Sequence, residues 1–214
     1  MSEQQTELPV TVGATGQNVY EAFRRSPYLS NKHSSYFQTY GELFEKYRGK
    51  PVTFVEIGVF SGGSLFIWRD HFGPQARVIG VGLNPDAVSW REHGFKIHIG
   101  NHSDPKFWHQ FFESVGHVDI VLDDGGHTYE QQISTVHHCL PHIKDDGMIA
   151  VEDTHNCYFK DLGYSSRNSD HSIEAFESIV AFKINRAACI SGRARQSLKT
   201  PAAPEVLPLS IHCQ

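Results

Sequence analysis

Apolar positions along this chain change their period from place to place, and the changes mark out the elements. Between residues 16 and 50 they recur at three- and four-residue steps. Val19 and Phe23, then Tyr36, Tyr40, Leu43, Phe44 and Tyr47, predict two helices broken near Pro27 and Ser30-Asn31. The polar stretch from Ser30 to Ser35 between them reads as a linker or as a loop over a site. From residue 52 the pattern becomes short runs of aliphatic and β-branched residues: Val52 to Gly58, Arg77 to Leu83, Phe95 to Ile99, Val118 to Leu122 and Gly147 to Val151. Helical patterns separate them, from Ser64 to about Phe72, from Pro105 behind the capping residue Asp104, and from Thr128 to about Ile143. Phe107, Trp108, Phe111, Phe112 and Val115 are expected inward as core, and Asp145-Asp146-Gly147 as the turn into the fifth strand. Strands and helices alternating at this interval predict an α/β fold with a mostly parallel sheet covered on both faces.

After Asp153 the pattern loosens. Ser172 to Phe176 and Ser178 to Ile184 predict two short strands, an antiparallel pair at one edge. Residues 1–15 are expected as a flexible arm and residues 191–214, with Pro201, Pro204 and Pro208, as a tail without order. That leaves one domain over residues 16–190, opened by a helical cap over 16–50.

Composition narrows the ligands. The 214 residues suffice for one α/β domain with a full core. A net charge of −5 and the lack of any Lys/Arg block argue against nucleic acid and membrane surfaces, which favours a small or neutral ligand. No run approaches the roughly 18 apolar residues of a membrane span, and the polar start Met1-Ser2-Glu3 has no signal-peptide core, so a cytoplasmic location is expected. The four cysteines are scattered without a C-x-x-C pair, which predicts reduced thiols.

Chemistry concentrates at strand ends. The run Val118 to Leu122 closes in Asp123-Asp124-Gly125-Gly126-His127, and Gly147 to Val151 closes in Glu152-Asp153 with His155 shortly after. Two strands ending in paired acids suggest a shared cation, although the same acids are also suited to capping helices and turns. Strand neighbours point to opposite faces, so Asp123 is expected to turn away from Asp124 and brace the loop. At the first strand, Gly58-Val59-Phe60-Ser61-Gly62-Gly63-Ser64 forms a glycine-rich turn into a helix, suited to a nucleotide-like ligand. Phe60 stands where a dinucleotide fingerprint needs its second glycine. His137, His138 and His142 suggest a metal cluster at first sight, but only His138 and His142 share a helix face, and they read as surface histidines.

Three segments together, Phe54 to Leu65 with Trp68-Arg69, Leu122 to His127, and Val151 to His155, resemble class I S-adenosylmethionine-dependent methyltransferases. The likeness is to the metal-dependent sugar O-methyltransferases of the macrolide mycinosyl type and related bacterial glycan-modifying enzymes, over roughly Tyr28 to Arg186. The resemblance implies a Rossmann-like, doubly wound three-layer α/β/α fold with strand order 3-2-1-4-5-7-6. It implies S-adenosyl-L-methionine and Mg²⁺ as cofactors and methyl transfer to a sugar or glycoside hydroxyl. Asp124, Glu152 and Asp153 would be the metal ligands and His127 the general base. Glu56, Gly58, Gly62, Gly63, Ser64, Asn84, Asn101 and Asp123 would form the cofactor site. The partner expected is a small-molecule or glycan acceptor, with self-association left open. The family pattern is departed from at Gly82, where an acid usually binds the ribose, and in the short segment Asn156 to Asp170, where a long helix is usual. The competing reading is a non-catalytic relative that keeps the fold as a binding module.

Overall fold

The computed structural model describes residues 12–154, 178–184 and 206–212. Seven strands form one sheet: β1 (Thr53–Ile57), β2 (Arg77–Gly82), β3 (Lys96–Ile99), β4 (Val118–Asp123), β5 (Ile143–Val151), β6 (Ser178–Ile184) and β7 (Val206–His212). Their order is β3-β2-β1-β4-β5-β6-β7. The first five are parallel, β6 runs antiparallel to β5, and β7 antiparallel to β6. Among the described residues, five α-helices accompany them: α1 (Gln17–Arg25), α2 (Tyr36–Phe44), α3 (Gly63–Phe72), α4 (Pro105–Val115) and α5 (Tyr129–Cys139).

The central strands are apolar without alternation because both their faces are covered. One face of β1, β4 and β5, with Phe54, Ile120, Leu122 and Met148, packs against Tyr40, Phe44, Trp68 and Phe72 of α2 and α3. The opposite face, with Val55, Val121 and Ile149, packs against Trp108, Phe111 and Phe112 of α4 and Cys139 of α5. The aromatic row of α4 is therefore core, as its spacing predicts. The capping residues are also as read. Asp104 accepts from the Lys106 amide, and Thr128 forms a reciprocal capping box with Gln131. Because Thr128 opens α5, Asp123 and Asp124 are not its caps and are left for other work.

Three features differ from the expectation. β5 begins at Ile143, so Asp145-Asp146-Gly147 lies within it and does not precede it. The register steps from Val118 opposite Ile143 to Ile120 opposite Met148, and Asp146 takes φ 64°. The acidic segment is thus a bulge, whose extra residues a turn reading cannot tell from a loop. In the outer part of the sheet, Ser178–Ile184 lies beside β5, and the strand beyond it is Val206–His212, so the described strands run in chain order after β5 where 3-2-1-4-5-7-6 was expected. Residues 172–176 and the segment 156–170 lie outside the described residues. β7 also places a strand in the tail expected to be without order. Its Pro208 is compatible with pairing because the strand is the last in the sheet order, where a missing N–H need not break a ladder.

Candidate active site

The site is built where β1, β4 and β5 leave the sheet. β1 is followed at once by Gly58, whose φ of 105° is closed to ordinary L residues. A Cβ at this position would stand 1.8 Å from the backbone oxygen of Asp124, so only glycine lets the two turns touch. Ladder bonding continues one step beyond the strands: the Asp124 amide donates to Ile57 O and the Glu152 amide to Asp123 O, each at 2.9 Å. Those two bonds set the Asp124 and Glu152 side chains next to one another.

Among these acids lies a lysine. Lys32, from the polar segment between α1 and α2, places Nζ 2.6 Å from Asp124 Oδ2, 3.0 Å from Glu152 Oε1 and 3.4 Å from Glu56 Oε1, with its side chain 1% exposed. Burial by itself would lower its pKa, but Asp124, Glu152 and Glu56 outweigh that and hold the ammonium well above the usual lysine range. Burial pushes the carboxyls of Glu56 and Glu152 up, while Lys32 pulls both back toward the ionised form. Ser64 Oγ and Trp68 Nε1 donate to Glu56 at 2.7 and 2.9 Å, and Tyr40 Oη donates to Glu152 at 2.5 Å.

A second group borders the first. Tyr36 Oη donates to Asp153 Oδ1 at 2.6 Å, which leaves Asp153 Oδ2 3.4 Å from His127 Nε2. Asp124 turns Oδ2 to Lys32 and Oδ1 toward the same imidazole nitrogen, at 3.7 Å. Each aspartate is thus held by one oxygen and offers the other to a shared gap. Burial first, and the neighbouring acids next, raise the Tyr36 and Tyr40 hydroxyls far above the usual tyrosine range, so both remain donors. Asp124, His127 and Asp153 each bring one ligand atom to within 4.8 Å of the others, and they are the group of metal-binding type found among the described residues.

Two clefts meet at this point. One, of about 290 Å³, is lined by Leu29, Ser30 and Asn31, by the glycine-rich turn, and by Asp124, His127 and Asp153. The other, of about 270 Å³, lies past the end of β2 and is lined by Gly82, Leu83, Asn84, His102 and Gln131. Gly58, Phe60, Asp124 and Gly125 belong to both.

Most of the residues singled out in the sequence meet here, in altered company. Gly58, Gly62, Gly63 and Ser64 line the first cleft and Asn84 the second. Glu56 does not line either; it is fully buried beneath them. Asp123 is 1% exposed and accepts from the Gly125 amide, bracing the turn from below. Asn101 is not among the residues lining the clefts and accepts from the Ser103 amide. Of the three expected metal ligands, Asp124 and Asp153 face the shared gap, whereas Glu152 faces Lys32 and Tyr40. His155 lies outside the described residues. Lys32, Tyr36, Tyr40 and His102 were not anticipated. The two tyrosines carry a faint sign, being one helical turn apart on one face of α2, but a lysine in a polar loop carries none.

Comparison with known proteins bears on the architecture. Residues 55–154 match the family model described as a methyltransferase domain. Over that stretch the chain is similar to a methyltransferase domain. It is 28% identical over 176 residues to demethylmacrocin O-methyltransferase of Streptomyces fradiae, which covers 78% of this chain and 44% of that one. It is 32% identical over 136 residues to 8-demethyl-8-(2-methoxy-alpha-L-rhamnosyl)-tetracenomycin-C 3'-O-methyltransferase of Streptomyces olivaceus, covering 58% and 33%. Among solved structures, MycE methyltransferase from the mycinamycin biosynthetic pathway, in complex with Mg, SAH and mycinamycin VI, superposes with a TM-score of 0.61 at 23% identity, over 75% of this chain and 42% of that one. The chain spans less than half the length of these curated relatives. No described helix is long and apolar enough to cross a membrane.

Proposed function

We propose that this methyltransferase domain transfers a methyl group from S-adenosylmethionine to a hydroxyl of a sugar or glycoside, with a divalent cation of the Mg²⁺ kind at the acidic end of the cleft. The observation that carries the reading is the paired presentation of Asp124 Oδ1 and Asp153 Oδ2 beside His127, in the cleft that the glycine-rich turn also lines. The names of the relatives, O-methyltransferases of demethylmacrocin and of a rhamnosyl tetracenomycin, and the Mg and SAH bound by MycE support it.

The donor set suits the ion. Mg²⁺ is commonly bound by one or two carboxylates and keeps several waters, and oxygen ligands favour it over softer metals. Asp124 and Asp153 would hold it, each already oriented through its other oxygen. Bound there, it would acidify an acceptor hydroxyl and fix its position beside the methyl donor. The chain's own residues supply the rest. Gly58 lets the turn after β1 touch the Asp124 backbone, and Gly62 and Gly63 let it pack against Trp90 and the Tyr28-Leu29 backbone, which shapes the cleft. Asn84, two residues beyond the end of β2 at Gly82, lines the second cleft, with its side-chain oxygen accepting from the Asp86 amide. His127 Nε2, at the rim of the carboxylate pair, is placed to accept the hydroxyl proton as the methyl group moves. Tyr36 and Lys32 hold the aspartates still during that step.

The test is thermal denaturation with S-adenosylmethionine and Mg²⁺, separately and together. Each raises the melting temperature of the wild-type protein, and Asp124→Asn loses the Mg²⁺ increment. No shift with either ligand at millimolar concentration would remove the basis of the proposal. Transfer of a labelled methyl group to a panel of glycosides then identifies the acceptor class.

A further inference from the structure

The two clefts of the candidate active site lie where the parallel strands end. Another cleft, of about 380 Å³, lies where β2 and β3 begin, along the outer strand of the sheet. Arg77 at the start of β2, Arg91 from the helical turns over Pro85–His93, Lys96 and His98 of β3, and Ser114 in the last turn of α4 line it. No acid is among its lining residues. The sequence has no Lys/Arg block, so the fold itself gathers these cations from three elements, in a chain of net charge −5.

The cations are held in place without being neutralised. Arg77 Nη1 donates to Val115 O at 3.3 Å and Arg91 Nη2 donates to Ile97 O, so one carbonyl orients each guanidinium. A guanidinium has five donors, and a carbonyl brings no counter-charge. Arg77 Nε is shut off from solvent with no acceptor, and among the described residues no carboxylate pairs with Arg77, Arg91 or Lys96. The acid beside Ser114, Glu113, lies 3.6 Å from His109 instead. Burial first, then Arg91, Arg77 and Lys96, lower the pKa of His98, so the field of all three cations is felt inside the cleft. Capping the last carbonyls of α4 accounts for Arg77 alone. A cleft lined by one sign of charge draws in the opposite one.

We propose that this cleft binds a phosphoryl group, free or carried by a small molecule, between Arg77, Arg91 and Lys96. A dianion answers the charge the protein leaves uncompensated, and two guanidiniums suit phosphate oxygens because each can fork onto a pair of them. The volume falls within the roughly 300–1,000 Å³ of small-molecule sites, which leaves room for an organic body behind the phosphate. β2, six residues and roughly 16 Å long, separates this cleft from the acids after β4 and β5. The inference therefore stands apart from the proposed methyl transfer.

Calorimetric titration of the wild-type protein with inorganic phosphate, glucose 6-phosphate and glucose, at constant ionic strength, tests it. Both phosphates bind and glucose does not; the tighter of the two shows whether the group is read alone or on an organic body, and either ranking supports the site. Arg91→Gln and Lys96→Gln, both at exposed positions, each weaken binding by about tenfold, the loss of one charge-assisted hydrogen bond. Lys106→Gln, at the opposite end of α4, leaves the affinity unchanged. Melting temperatures of the variants without phosphate, close to that of wild type, separate lost binding from lost folding. No binding of either phosphate at millimolar concentration, a response to glucose equal to that of its phosphate, or wild-type affinity in both cleft variants would overturn the proposal.

Discussion

Alanine at Gly58 strikes the joint that brings Asp124 to the site. Two costs follow from the structure. With φ at 105° the backbone is in a region that an L side chain adopts at a cost of about 1–3 kcal/mol. The new Cβ would also stand 1.8 Å from Asp124 O and 2.6 Å from its carbonyl carbon, both backbone atoms that cannot swing aside. To reach even a tight contact of 3.0 Å the two turns must part by roughly 1.2 Å, which strains the 2.9 Å bond from the Asp124 amide to Ile57 O. Overpacking of this kind costs about 1–3 kcal/mol and the weakened bond about 1 more. The sum is about 3–7 kcal/mol, a large share of the roughly 5–15 kcal/mol by which domains are stable. Urea unfolding followed by circular dichroism measures it, and the melting temperature should fall by roughly 6–28 °C. Gly82→Ala is the matched control. Its φ is not positive and its Cβ would meet Val59 and Ala87 at 3.5 and 3.6 Å, so it should be neutral or stabilising by about 0.5 kcal/mol. A loss below about 1 kcal/mol for Gly58→Ala, or equal losses at both glycines, would refute the reasoning.

The remaining predictions concern acid stability, ribose recognition and a helix cap. His71 is 3% exposed, and burial draws its pKa from 6.5 down to about 4. Between those values the unfolded chain takes up a proton that the native state does not, so stability is full above about pH 6.5 and falls toward pH 4, by about 3 kcal/mol in all. His71→Leu should flatten that slope in urea midpoints from pH 7 to 4, and curves parallel to wild type would count against it. Gly82→Asp supplies the carboxylate usual at the end of β2. If the second cleft receives the nucleoside, S-adenosylmethionine should bind more tightly by about 1.5–3 kcal/mol in calorimetry, and an unchanged affinity would argue against that orientation. Thr128→Ala removes one half of the capping box of α5 and should cost about 1 kcal/mol in denaturant unfolding, a value the conservative Thr128→Ser should largely restore.

Local pattern carried a great deal of this molecule. Val52 to Gly58 and Val118 to Leu122 announce buried strands because both faces of a covered parallel sheet are apolar. Asp104 and Thr128 mark helix starts because capping is a matter of a few adjacent atoms. The glycine-rich turn after β1 and the acids after β4 and β5 were visible for the same reason: a strand end, its turn and the helix beyond it are contiguous in the chain. Charge pairing across the fold is not contiguous. Lys32 is 92 residues from Asp124 and 120 from Glu152, and nothing in Ser30 to Ser35 distinguishes a solvated lysine from a buried one. Tyr36 and Tyr40 fit the apolar rhythm of α2, which hides the fact that their hydroxyls reach Asp153 and Glu152. Which acids share a gap and which are spoken for by Lys32 is decided by strand order, by the contact of Gly58 with Asp124, and by a loop folding back over the sheet. Only the assembled fold brings those distant groups within a few ångströms, the range over which a buried charge chooses its partner.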